Sequence, residues 1–310
     1  MKTPAEVYSL HDLRNWATIT DSLPYPIRFA VLGDPVAHSA SPQMHNAALK
    51  ALGIKAFYTR LHIRPHELPE ALQVIPSLGF LGVNLTIPHK TNAIPLLHHI
   101  SPQAKQFGAV NTVKIQDFSL HGSNTDGEGL SRAILSDFQI PLSKQNVLIL
   151  GAGGGAGRTI AIQCALAGCP SITLANRSID KLYSLASEIQ AAASQPHTSI
   201  QITDMSSDAL AQYSPKATLI IQCSSLGMQA TDPSPFPKHL LSRQHAIYDT
   251  IYSRRTQLLT DAASIGAQYS NGLSMLLHQG AIALETWLPN STAPVDVMKA
   301  ALLSATQHIN

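Results

Sequence analysis

Residues 146–158 read NVLILGAGGGAGR. Asn146–Leu150 is an apolar run short enough for a buried strand, and Ile160, Ala161 and Ala165 follow at helical spacing. Between them stands Gly151-x-Gly153-x-x-Ala156, with Gly154 and Gly155 in the same loop. The first Gly permits a tight turn, the second lets backbone approach a pyrophosphate, and a small third residue lets helix and strand pack closely. Unpaired N–H groups at the start of the helix then favour an anion. Strand, turn and helix in this order predict a Rossmann unit that binds a dinucleotide. The plainer alternative is a Gly-rich loop that only packs two elements together.

The tip of the next strand, Ser171–Ala175, should read the adenosine ribose. An NAD site usually places an acid there, and an NADP site often an Arg nearby. The chain supplies Asn176-Arg177-Ser178, with Lys181 soon after and Asp180 close but off the tip. A planar guanidinium can stack on adenine or pair a 2′-phosphate. These residues favour NADP. Asn176 or Ser178 would also cap a solvated helix whatever bound there.

Outward from this loop the strand–helix alternation continues in both directions. Ile200–Thr203, Ala217–Gln222 and Ala246–Thr250 read as further strands, with a helix over Ile179–Ala193. Ala281–Leu288 and Val295–Leu303 are helical. Upstream, Arg28–Leu32, Ala56–Ile63, Phe80–Thr86 and Ala109–Ile115 are strand candidates separated by helix candidates. The expected fold is α/β: an open, mostly parallel N-terminal domain plus a Rossmann domain. Residues 1–27 read as an appended extension, in which Ala5–Trp16 could form one short helix before Pro24 and Pro26. The expected substrate-binding domain is 28–130, completed by C-terminal helices over 275–310. The expected nucleotide-binding domain is 131–274.

Composition narrows the class. The chain has 310 residues, long enough for two domains with sizeable cores. Lys and Arg number 21 against 19 acids, a formal charge of +2, which argues against a nucleic-acid footprint or a polybasic membrane arm. Three cysteines, Cys164, Cys169 and Cys223, form no CxxC pair and no disulfide framework. The most apolar stretch, 146–169, is interrupted by Arg158 and Gln163, where a membrane helix wants about 20 continuous apolar residues. A cytoplasmic protein with no membrane or nucleic-acid partner is the expectation. His38, His45, His89, His98 and His99 complete no recognisable zinc spacing, so no metal is expected.

Three polar segments lie beside apolar strands in the first half. Ser39 and Ser41 precede or open a helix, with Ser41 expected at N-cap and Pro42 at the first helical position. They could hold a small carboxylate with the first helical N–H groups. Lys90 follows the turn at Pro88 and could donate a proton or a charged hydrogen bond. Asp126, in NTDG (124–127), could orient a cation or accept from a substrate hydroxyl. Singly, Lys90 reads as a surface lysine and Asp126 as a helix cap.

Jointly, the segments GDPVAHSASPQMHN (33–46), GVNLTIPHK (82–90), GAVNTV (108–113), NTDGEG (124–129), GAGGGAGR (151–158), ANRS (175–178) and NGLSMLLHQGA (271–281) resemble the shikimate dehydrogenase family over roughly residues 28–305. The resemblance implies reversible reduction of 3-dehydroshikimate to shikimate with NADP as cofactor. It implies that Ser39 and Ser41 bind the substrate carboxylate and that Lys90 and Asp126 are the catalytic pair. Asn84, Thr86, Asn111 and Gln279 become polar ligands of the substrate, and Tyr252 the tyrosine near it. Gly272 and Met275 become nicotinamide-side contacts. The resemblance leaves room for a homodimer. Two other readings stay open: a quinate/shikimate dehydrogenase using NAD, and a catalytically silent NADP-binding regulator. The sequence departs from the family pattern at Gln222-Cys223-Ser224 (usually Asn-Ala-Thr), at Ser253-Arg254 after Tyr252, where a proline is common, and at Gly157 in the loop.

Overall fold

The computed structural model describes residues 3–194 and 198–306. The outermost residues of the expected extension (1–2) and of the expected C-terminal helices (307–310) lie outside the described residues. The chain divides into two compact units. One runs up to Thr125 and is resumed by Gln279–Thr306; the other is Asp126–His278.

The first unit carries, in chain order, β1 (Tyr8–Ser9), α1 (Leu10–Arg14), α2 (Trp16–Thr20), β2 (Ile27–Gly33), α3 (Ser41–Ala51), β3 (Phe57–His62), α4 (Leu68–Val74), β4 (Gly82–Leu85), α5 (His89–Asn92), β5 (His99–Ile100), α6 (Pro102–Phe107), β6 (Thr112–Gln116) and β7 (Ser119–Ser123). Its sheet runs β1-β3-β2-β4-β6-β7-β5. The first four strands in that order pair in parallel, β6 is antiparallel to both β4 and β7, and β5 is parallel to β7. β2 is central because Ile27 and Phe29–Leu32 are all buried, the continuous apolar run of a strand covered on both faces. The chain leaves β2 for β3 on one side and later returns to β4 on the other. The crevice beyond the carboxyl ends of β2 and β4 is therefore a switch point, where α/β sheets bind ligands.

The segment before Ile27 is not an appended arm. Tyr8 and Ser9 pair with Leu61 and His62 of β3, and Tyr8, Leu10, Leu13 and Trp16 lie in the first unit's core. Trp16 meets the Tyr8 ring edge-on at 5.1 Å and the Phe80 ring at 5.3 Å. Where one helix is expected over Ala5–Trp16, a strand and two short helices form. Ser9 caps α1: its hydroxyl accepts from the Asp12 N–H, and the Asp12 carboxylate accepts from the Ser9 N–H. That reciprocal cap starts the helix five residues later than the apolar spacing suggests.

The second unit contains α7 (Asp126–Phe138), β8 (Asn146–Leu150), α8 (Gly155–Leu166), β9 (Ser171–Ala175), α9 (Asp180–Ala192), β10 (Ser199–Thr203), α10 (Ser207–Tyr213), β11 (Leu219–Gln222), β12 (Ala246–Asp249), α11 (Gln257–Ile265) and β13 (Gln268–Asn271). The order β10-β9-β8-β11-β12-β13 is parallel throughout, the doubly wound arrangement of a Rossmann sheet. α12 (Leu273–Trp287) begins here, eight residues before the expected Ala281, and belongs to the first unit from Gln279. There Trp287 stacks on Phe29 at 5.2 Å and donates its indole N–H to the Val113 carbonyl at 3.0 Å. Gly82 leaves room for that ring, since a Cβ there would sit 2.2 Å from Trp287 Cδ1. The last helix, α13 (Val295–Thr306), packs on α3.

Because Trp16 fills the first unit's core, Trp16→Ala should destabilise that unit by about 3–5 kcal/mol. Chemical denaturation followed by circular dichroism should show its transition moved to lower denaturant; an unmoved transition would mean the segment is ornamental.

Candidate active site

The loops after β2 and β4 touch. The Asp34 N–H donates to the Ile87 carbonyl at 3.0 Å, and the Thr86 N–H to the Leu32 carbonyl at 2.9 Å. Gly33 makes this approach possible, since a Cβ there would lie 2.4 Å from Thr86 Cγ2. Antiparallel pairing sets Thr112 at the start of β6 opposite Asn84 on β4, and Ser123 at the end of β7 opposite Thr112. Four segments thus present polar residues at one end of one sheet.

A hydrogen-bonded chain of side chains runs through them. The Ser39 hydroxyl donates to the Ser41 hydroxyl at 3.2 Å. The Ser41 hydroxyl neighbours that of Tyr58, and Tyr58 donates to Asn84 Oδ1 at 2.8 Å. Asn84 Nδ2 donates to the Asn111 carbonyl and to Thr112 Oγ1, both at 3.1 Å. Asn111 Nδ2 donates to Thr125 Oγ1 at 2.9 Å and to Gln279 Oε1 at 3.3 Å, while Asn111 Oδ1 accepts from the Thr125 N–H at 2.8 Å. The fold therefore gathers Ser39, Ser41, Asn84, Asn111 and Gln279 into one network. Thr86 and Lys90 sit on the adjoining loop and on α5, and the Lys90 carbonyl accepts from the Val110 N–H at 2.7 Å. Asp126 is the first residue of α7, directly after Thr125.

Ser41 is not the cap expected of it. The N-cap is Ala40, which makes no side-chain cap bond, and Ser41 is the first helical residue. Ser39 Oγ instead accepts from the Ser41 N–H at 3.3 Å. Both hydroxyls stay with the helix start, but neither is used up in a standard cap.

Tyr58, Thr112 and Thr125 belong to the network and escape a reading of sequence alone. Tyr58 lies in a strand that reads as merely apolar; a phenol in a buried strand must find a partner, and that is the available signal. Burial pushes its hydroxyl well above the usual phenol range, so it remains a neutral donor. Beneath it, the fully buried His45 ring stacks at 4.3 Å with planes 4° apart. Desolvation pulls His45 down to about 3, which keeps the ring neutral at ordinary pH.

In the second unit, Gly151 takes a left-handed backbone (φ +83°), and a Cβ there would lie 2.7 Å from Ser224 Cβ. The loops after β8 and β11 thus meet at the switch point of this sheet. The residue that packs helix against strand is Gly157, not Ala156. A Cβ on Gly157 would come 2.4 Å from the Gly151 carbonyl, whereas Ala156 is exposed. The loop is one residue longer than the spacing GxGxxA assumes. Gly154 is the N-cap of α8 and gives it no side-chain cap, and a Cβ on Gly155 would meet nothing within 4 Å. A bare helix start facing open space suits an anion. It borders a cleft of about 550 Å³ lined by Gly153, Asn176, Arg177, Ser178, Lys181 and Ser224 among others. The described lining holds two cations and no carboxylate. These residues fit a dinucleotide with an additional phosphate on its adenosine side.

Gly272 and Met275 lie at the start of α12, outside the residues lining that cleft. Gly272 is needed where it stands, since a Cβ would sit 2.1 Å from the Thr250 carbonyl. The Met275 N–H donates to the Tyr248 hydroxyl at 3.1 Å. Tyr252 is half-buried in the loop between β12 and α11.

Comparison with known proteins identifies the family. Residues 31–113 match the shikimate dehydrogenase substrate binding domain, and residues 272–303 the shikimate 5′-dehydrogenase C-terminal domain. A shikimate dehydrogenase (NADP(+)) from Symbiobacterium thermophilum is 40% identical over 280 residues, 89% of this chain and 94% of that relative. The chain belongs to the shikimate dehydrogenase family. A solved Thermus thermophilus shikimate 5-dehydrogenase in complex with NADP(H) and shikimate is 35% identical, with a TM-score of 0.79 over 90% of this chain and 99% of that one. A Corynebacterium glutamicum quinate dehydrogenase in complex with NAD is 27% identical, with a TM-score of 0.80 over 90% and 99%.

The departures from the family pattern have local explanations. Gln222 is fully buried at the end of β11. Its amide N–H group donates to Ser224 Oγ at 3.0 Å and to the Leu226 carbonyl at 2.7 Å, and its oxygen accepts from the Ser224 N–H at 3.1 Å. One side chain thereby folds the loop that borders the cleft. Arg254 donates to the Gly227 and Gln229 carbonyls at 3.1 and 2.7 Å, tying the Tyr252 loop to that same loop.

Asp249 anchors the Tyr252 loop from the other end. Fully buried, it accepts from the Ile251 N–H at 3.0 Å and from Thr256 Oγ1 at 2.7 Å. Thr256 in turn caps α11. Burial outweighs these bonds and raises Asp249 from 3.8 to about 6. The folded protein holds a proton that the unfolded chain releases across this window, so the Asp249 contribution to stability falls as pH rises from 4 to 6. Asp249→Asn should remove that slope, gaining on wild type by about 3 kcal/mol between pH 4 and 7. Urea titrations at a series of pH values check it; parallel curves for the two proteins would contradict it.

Proposed function

We propose that the protein reduces 3-dehydroshikimate to shikimate reversibly with NADPH, a step toward the aromatic amino acids, and that Lys90 and Asp126 carry its proton chemistry. The observation that carries the reading is the network from Ser39 through Asn111 to Gln279, beside Lys90. It offers hydroxyls and amides to a small polyhydroxylated acid, in a chain of this family. NADPH, when bound, supplies the hydride. Gly151, Gly153 and the bare start of α8 would hold its pyrophosphate, and Arg177 and Lys181 would meet the phosphate on its ribose.

The remaining work falls to side chains. As the ketone becomes an alkoxide, negative charge grows on oxygen, and a fixed ammonium lowers the cost of that charge. Lys90 donates the proton that completes the alcohol, or takes it back in the reverse direction. Asp126 orients the Lys90 ammonium and accepts from a neighbouring substrate hydroxyl. Ser39 and Ser41 donate to the carboxylate, and Asn84, Thr86, Asn111 and Gln279 fix the ring hydroxyls. Tyr252 stands near the substrate, and Gly272 and Met275 contact the nicotinamide side.

Loss of general acid help alone typically costs about 10²–10⁴-fold in rate. Lys90→Ala should lose at least that much in kcat for shikimate oxidation, with the KM for NADP+ within about twofold of wild type. Turnover within severalfold of wild type would remove Lys90 from the chemistry. Wild type should also prefer NADP+ to NAD+, and Arg177→Ala should shrink that preference by about tenfold or more. A wild-type preference for NAD+ would favour the quinate-type reading instead.

A further inference from the structure

Arg60, on β3, is a buried cation that the proposed chemistry leaves unused, at 7% exposure. Its Nε and Nη2 both donate to the Ser39 carbonyl, at 2.9 and 2.6 Å. Nη2 also donates to Gln43 Oε1 on α3 at 3.2 Å, and Nη1 to the Glu6 carbonyl at 3.2 Å. Two donors from one rigid plane on one carbonyl fix its direction as well as its place. The other anchors of the segment between β2 and α3 are local or lie at its far end. Asp34 is tied to Ile87 and to His62 Nε2, the Ser39 N–H donates to the Val36 carbonyl at 3.0 Å, and Ser39 Oγ accepts from the Ser41 N–H at 3.3 Å. No helix cap holds Ser39 or Ser41. The guanidinium is therefore the grip that sets the peptide between Ser39 and Ala40.

We infer that Arg60 is a positioning residue for substrate binding: by holding the Ser39 peptide it aims the Ser39 and Ser41 hydroxyls at the substrate carboxylate, and the segment before β1 completes its shell through Glu6. This rests on the reading that those hydroxyls bind the carboxylate. Arg60 acts through a backbone carbonyl, so its effect falls on substrate affinity rather than on hydride transfer. Lysine in its place keeps the charge but cannot place two coplanar donors on one oxygen. An arginine that only stapled the N-terminal segment to the sheet would lower stability, kcat and cofactor binding together.

The experiment begins with wild type oxidising shikimate with NADP+; no turnover there would sink the proposed function, whatever Arg60 does. Steady-state kinetics then compare Arg60→Met, Arg60→Lys, Ser39→Ala with Ser41→Ala, and that pair combined with Arg60→Met. Loss of a charged hydrogen bond predicts a shikimate KM raised about tenfold or more in Arg60→Met, with kcat within about threefold and the NADP+ KM unchanged. Arg60→Lys should recover only part of the loss. In the double-serine background Arg60→Met should add less than about twofold, because both changes act through one contact. Full additivity would overturn the inference, as would full rescue by lysine, an unchanged shikimate KM, or a joint fall in kcat and cofactor affinity. Should Arg60→Met fail to fold, Gln43→Ala removes one exposed acceptor from the same guanidinium. It should raise the shikimate KM about two- to threefold with the NADP+ KM unmoved, and an unmoved shikimate KM counts against the inference.

Discussion

A buried amide must satisfy every one of its polar atoms, and at Asn111 that requirement organises the substrate end of the first unit. The side chain is 2% exposed. Its oxygen accepts from the Thr125 N–H and from Thr112 Oγ1, its nitrogen donates to Thr125 and Gln279, and its own carbonyl accepts from Asn84 and from the Leu85 N–H. One residue therefore joins the end of β4, the start of β6, the turn after β7 and the helix that returns near the end of the chain. An apolar residue here would take one partner each from the Thr125 N–H, the Thr112 and Thr125 hydroxyls and the Gln279 amide in a dry setting. The network keeps its shape because leaving it half made is costly.

The second unit solves a different problem with different means. An anion is to be held by backbone, so side chains must stay out of the way. Gly151 supplies the left-handed turn, Gly157 the close approach of α8 to the strand, and Gly155 the open face. Around this emptiness the borders are stiffened by buried polar side chains. Gln222 folds the loop after β11, and Asp249 with Thr256 closes the loop after β12. The same task falls to different residue types than the family pattern has at Gln222, since an amide in either side chain offers one donor group and one acceptor.

Much of this was legible in the sequence. β8 and β9 begin and end where the apolar runs do, because strands buried on both faces read as short, nearly continuous apolar runs. The cleft-lining residues Asn176, Arg177, Ser178 and Lys181 follow directly from their place after a strand tip. Other features were hidden. Ser41 looks like a cap, yet capping depends on the backbone angles of Ala40, which no composition announces. Ala156 fits the third small position, but the turn geometry spends one more residue and gives that place to Gly157. The first residues look like an arm because their buried side chains, Tyr8, Leu10, Leu13 and Trp16, alternate with polar ones at no single period.

The sequence by itself determined two α/β units, a phosphate-ready loop and the polar segments that carry the family resemblance. Those properties are local: a few neighbouring residues state them through period, glycine and charge. Tertiary structure alone decided that Asn111 would meet Gln279, 168 positions away, and that Arg60 would grip the Ser39 carbonyl. Such pairings are set by strand order and register, which depend on the packing of the whole sheet rather than on any stretch of chain.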